Sequence, residues 1–126
     1  MEKAELKERF CQFSLRIIRM VDAMPHTVSA WAIAKQVVRS GTSPAANYRA
    51  ACYAKSLKDF VNKLKMVEEE LDETQYWIQL MMEAEMLPKA RLEPLYMECG
   101  ELLNIISRSI ITSRKKLNER KGNRKL

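Results

Sequence analysis

"FVNKLKMVEEELDETQYWIQLM", residues 60–81, contains neither glycine nor proline. Phe60, Leu64, Val67, Leu71, Thr74, Ile78 and Met81 recur in an unbroken alternation of four- and three-residue steps. That spacing predicts a helix with one coiled-coil-like apolar seam over nearly three heptads. Ser56 is placed to cap it, with Asp59 three residues on, a capping-box-like arrangement. A helix with a single apolar stripe must bury it against other elements, so the flanking sequence is read for partners.

Upstream, Phe10, Phe13, Ile17, Val21 (or Met20) and Met24 form one stripe from about Lys3 to Met24, where Pro25 ends the helix. A second helix begins after His26, capped by Thr27 or Ser29, with Trp31, Ala34, Val37 and Val38 as its expected inner face. Downstream, a fourth helix begins near Ala90, after Leu87-Pro88; its stripe is Leu92, Leu95, Cys99, Leu102 (or Leu103), Ile106, Ile110 and Leu117. No segment alternates with period two. Four long amphipathic helices with short connections predict an all-α, antiparallel up-down-up-down four-helix bundle. The expected division is a bundle domain over residues 1–117 and a flexible basic tail over 118–126, with Gly122 ending helicity.

The one interruption is "SGTSPAANYRAACYAKS", residues 40–56. Gly41 weakens a helix here, and Ser43-Pro44 reads as an N-cap followed by proline at the first helical position, so the helix either restarts or continues through a kink. Ala45, Ala46, Ala50 and Ala51 let another helix come close.

The chain's 126 residues suit one core. Its net charge of +6 is concentrated: Arg114–Leu126 holds seven Lys or Arg and one Glu, leaving 15 basic and 15 acidic residues before it. Lys35–Lys65 carries seven bases against Asp59 alone, and Met66–Glu85 carries seven acids and no base. A basic tail points to a polyanion such as RNA or DNA; complementary blocks point to self-association or internal pairing. The expected nucleic-acid contacts are Arg39, Arg49, Lys55, Arg114, Lys115, Lys116, Arg120 and Lys121. Tyr48, beside Arg49, either stacks on an unpaired base or belongs to the core.

Other chemistries find little support. The carboxylates of "EEELDE" (Glu68–Glu73) have no histidine partners, since His26 is the single histidine and sits at a helix end; no metal or cofactor is expected. No glycine-rich phosphate loop exists. Cys11, Cys52 and Cys99 lack CxxC spacing and read as reduced thiols of a cytoplasmic protein. The first ten residues have no signal-peptide character, and no uncharged apolar run approaches a membrane span. The expectation is a non-enzymatic binding protein, with a protein-interaction module as the alternative.

Gln36–Met81 resembles the 23S rRNA intervening-sequence proteins, also called the S23 ribosomal protein family. Gln36, Arg39, Ser40, Ser43, Asn47, Tyr48 and Arg49 match its first motif, and Asp59, Phe60, Glu69, Glu70, Glu73, Thr74, Tyr76 and Trp77 its second. Pro44 departs from the pattern, which more often has a small aliphatic residue there. The resemblance implies an antiparallel four-helix bundle, a ring-like homopentamer and no enzymatic activity. A related branch serves diversity-generating retroelements by binding nucleic acid and reverse transcriptase. Ser43, Asn47, Tyr48, Glu69, Glu70, Glu73 and Trp77 are then motif or interface residues. Arg39 and Arg49 are expected to pair with Glu69–Glu73, within a chain or across a subunit boundary.

Overall fold

The computed structural model describes residues 1–125. Four helices fill them: α1 (Lys3–Asp22), α2 (Val28–Cys52), α3 (Leu57–Glu83) and α4 (Lys89–Lys125). Each packs on its chain neighbours and α4 returns to α1, while the backbones of the diagonal pairs stay apart and meet only through side chains. This is the closed cycle of an antiparallel up-down-up-down bundle.

Local chemistry places the corners. Thr27 Oγ1 accepts from the Ala30 amide at 3.2 Å, and Ser56 Oγ accepts from the Asp59 amide at 3.0 Å, so both capping assignments hold. α3 ends in a Schellman motif: Met86 N donates to Met81 O at 3.0 Å and Glu85 N to Met82 O at 3.1 Å. That motif needs a left-handed residue, and Glu85 takes it with φ 54°.

The core is the expected set of stripes with two corrections. On α3 the buried residues begin at Val61 rather than Phe60, which is half-buried. On α2 the inner face is Ala30, Ala34 and Val37, whereas Trp31 is 65% exposed. Both misreadings are one residue off in phase, because a bulky aromatic beside a small core residue outweighs it in any hydrophobicity count. Leu64, Leu71, Ile78 and Met81 of α3 meet Leu92, Leu102 and Ile106 of α4 and Phe10, Phe13 and Ile17 of α1 in one fully buried cluster.

α2 neither stops nor restarts at Pro44. It runs unbroken from Val28 to Cys52 with the proline inside and buried. Proline removes one helical N–H and crowds the preceding turn. Its neighbours are tied down: Thr42 Oγ1 donates to Val38 O at 2.6 Å, and Asn47 Nδ2 donates to Ser43 Oγ at 2.9 Å. Ser43 is therefore a mid-helix hydrogen-bond partner rather than a cap. Gly41 is buried against Ile17 of α1, so the absent side chain sets how closely α1 and α2 approach.

α4 continues as helix past residue 117 to Lys125. A mid-helix glycine costs only about 1 kcal/mol, the surrounding Lys, Arg and Glu are good helix formers, and cations near a helix C-terminus suit its dipole.

Candidate nucleic-acid interface

Antiparallel alternation brings the start of α1, the α2–α3 corner and the C-terminal part of α4 to one end of the bundle. The α2–α3 corner and the end of α4 are basic, while the start of α1 is balanced, with Lys3, Lys7 and Arg9 against Glu2, Glu5 and Glu8. Lys3 and Lys7 arrive from α1: Lys3 Nζ lies 5.1 Å from the Phe60 ring centroid and Lys7 Nζ 5.0 Å from that of Tyr53. Arg49, Lys55 and Lys58 are exposed at the corner. Asp59 is engaged locally, accepting from Lys63 Nζ at 2.7 Å and from the Lys55 amide at 3.4 Å, and the Lys63 ammonium holds its carboxyl below the usual range.

α4 extends the basic end outward. Cys99 Sγ lies 3.2 Å from Leu71 O, and Ser107 Oγ donates to Glu68 Oε2 at 2.8 Å. Carried back to Leu57, where α3 begins, this register reaches α4 near Leu117. Beyond it α4 projects by ~12 Å at 1.5 Å per residue. Ser113 is the last buried residue and Leu117 is half-buried, while Arg114, Lys115, Lys116, Arg120 and Lys121 are all exposed. At 100° per residue these five, three on the packed turns before Leu117 and two on the projection beside Glu119, are spread around the axis, so the last turns of α4 form a cationic rod rather than a one-sided stripe.

The other predicted residues divide sharply. Arg39 is turned inward to the acidic strip: its Nη1 donates to Glu70 at 3.1 Å, its Nη2 pairs with Glu73, and Trp77 Nε1 donates to the same Glu73 at 3.2 Å. Beneath them Thr74 Oγ1 is hydrogen-bonded to Ser40 Oγ at 2.9 Å and to Glu70 O at 2.7 Å. The motif residues Arg39, Ser40, Glu70, Glu73, Thr74 and Trp77 thus form one polar seam between α2 and α3. Arg49 does not join it and makes no ion pair among the described residues, and Glu69 is exposed. Arg39→Ala is expected to cost about 1 kcal/mol or less, the range of a half-exposed pair, and Arg49→Glu less still; urea denaturation checks both.

Tyr48 is 4% exposed and packs its ring 5.1 Å from that of Phe10, with burial pushing its phenol well above the ordinary value. It is core and offers no face to a base. The aromatic at the basic end is Tyr53, 71% exposed, which the sequence did not single out. Helical phase was the available signal: Tyr48 lies four residues after buried Pro44, and Tyr53 falls off that stripe.

Arg9 ties α1 to α4 through two carboxylates, and a pair within α3 holds Glu68 toward α4. Arg9 Nη2 donates to Glu98 at 2.6 Å and pairs with Glu101 at 2.8 Å, and these bonds raise its already high pKa. Lys65 Nζ donates to Glu68 at 2.6 Å; with Ser107 it holds the Glu68 carboxyl below the usual range. All three cysteines are free thiols, and burial pushes that of Cys99 up to about 12. No three His, Cys, Asp or Glu side chains cluster as metal ligands, and no helix is long and apolar enough to cross a membrane, among the described residues.

No curated protein matches the chain. A solved structure of a protein with unknown function from the S23 ribosomal protein family of Bacteroides thetaiotaomicron is similar, at 30% identity and a TM-score of 0.78, over 83% of this chain and 97% of that one. The family model described as 23S rRNA-intervening sequence protein matches residues 2–108. With that match spanning most of the bundle, and the motif residues forming its α2–α3 seam, the chain belongs to the 23S rRNA-intervening sequence protein family.

Proposed function

We propose that this chain is a non-catalytic binding protein for RNA or DNA, and that the basic end of the bundle is the contact surface. The observation that carries this reading is the convergence there of Lys3, Lys7, Arg49 and Lys55 with the cationic rod of α4. Neutralising phosphates releases counterions, which yields sequence-independent and salt-sensitive affinity. The non-catalytic half of the reading is supported by the placement of the nucleophiles. His26 sits at the other end of α2 from Cys52, and the Cys99 thiol is protonated at neutral pH.

Anisotropy titration with structured RNA, single-stranded RNA and duplex DNA across a salt series tests it. Replacing Lys115, Lys116, Arg120 and Lys121 by Gln is expected to reduce the log–log salt slope by about three. Absence of binding at low salt, or an unchanged slope in the variant, overturns the reading.

A second reading, a protein-interaction module that assembles with itself, is favoured by the α1–α2 corner. Val28 is 89% exposed there beside Trp31, which carries Lys35 Nζ 3.7 Å from its ring centroid. A five-membered ring has a native mass about five times 14.7 kDa, and a monomer removes this reading.

A further inference from the structure

A groove of about 650 Å³ runs between α1 and α2 and opens at the basic end. Ala4, Ser14, Thr42, Ala45 and Ala46 floor it, and Lys7, Arg49 and Tyr53 stand at its walls. We propose that this groove holds an unpaired nucleotide of a single-stranded nucleic acid, with Tyr53 stacking on the base and Lys7 and Arg49 contacting the flanking phosphates; the inference rests on the nucleic-acid reading above.

Each part of the groove matches one part of a nucleotide. The volume lies within the range of small-ligand sites, about 300–1,000 Å³. A floor largely of Ala, Ser and Thr has short side chains, with Ile18 at its far end, so a planar ring can lie along it. Tyr53 caps the C-terminal end of α2, its amide donating to Ala50 O at 3.1 Å and the next amide, of Ala54, to Ala51 O at 3.0 Å, so the ring is carried on a fixed helix end rather than a loop. Base–aromatic stacking tolerates any sequence, because every base has a π-face.

Charge complementarity selects the occupant. Two cations line the groove against one acid, Glu8, which already accepts from Gln12 Nε2 at 2.9 Å. Lys55 follows Tyr53 by two residues, so cations flank the ring along both α1 and α2. A duplex keeps its bases paired and stacked and cannot present a face to Tyr53. The α4 rod at the same end continues the positive surface along which the rest of a strand can run.

The test uses the full chain, a single-stranded oligonucleotide carrying one 2-aminopurine, and a hairpin duplex of the same composition. Tyr53→Ala is expected to weaken single-strand binding about tenfold and to abolish 2-aminopurine quenching, with duplex binding unchanged. Tyr53→Trp is expected to restore both. Lys7→Gln with Arg49→Gln is expected to lower the single-strand salt slope by about 1.4. Equal losses on both ligands, or none on the single strand, overturn the groove while the nucleic-acid reading stands. A Tyr53→Ala variant that changes native mass instead assigns the groove to contacts between copies and overturns the proposal. A wild-type chain that binds neither ligand overturns groove and nucleic-acid reading together.

Discussion

Phe10→Ala is expected to destabilise the bundle by about 3–5 kcal/mol and to lower its melting temperature by about 10 °C or more. The phenylalanine is fully buried, and its ring lies 5.1 Å from that of Tyr48 at an interplanar angle of 30°. Truncation removes a large apolar side chain, leaves a cavity and strips Tyr48 of its stacking partner. Because a domain of this size is stable by only about 5–15 kcal/mol, one such change consumes a large part of the total. Urea denaturation reads the loss. The paired control is Leu15→Ala on the same helix, where the side chain is 36% exposed; a loss near 0.5 kcal/mol is expected there, as for surface changes generally. Comparable losses at both positions would show that the α1 stripe is not the one buried.

Gly41→Ala is expected to destabilise the protein by about 1–3 kcal/mol, although alanine is a better helix former by about 1 kcal/mol. A Cβ at position 41 would lie 2.8 Å from both Cγ1 and Cγ2 of Ile17. Both atoms hang on one branched carbon that is stiff in a helix, so rotating the side chain exchanges one clash for another. α1 and α2 must move apart. The same substitution at Gly122 meets nothing within 4 Å and is expected to gain up to about 1 kcal/mol. At Gly100 the obstructing atom is Gln75 Nε2, at the end of a flexible chain that swings away. A double-mutant cycle of Gly41→Ala with Ile17→Ala decides the point, since relief of the clash requires a coupling energy of about 1 kcal/mol or more. Strict additivity would remove Gly41 as the determinant of the α1–α2 approach.

Helical periodicity is local, so the four helices, their caps at Thr27 and Ser56, and most of the core stripe were legible in the sequence. The register of side chains within Gln36–Met81 also carried the resemblance to the family whose model matches residues 2–108. The basic tail was legible as charge, because charge is additive along a chain. Tertiary structure decided what those local terms leave open. Pro44 is mid-helix because the cost at one position is outweighed by burying α2 along its whole length against α1 and α3. Arg39 is engaged with Glu70 and Glu73 while Arg49 is free, because a helix pair brings only one phase of each helix into contact. Tyr48 faces Phe10 and Tyr53 faces solvent for the same reason. Residues as distant in sequence as Lys7, Tyr53 and Lys116 share one end of the molecule only because alternate helices run in opposite directions. That juxtaposition follows from the closed packing of four apolar faces and from no shorter-range term.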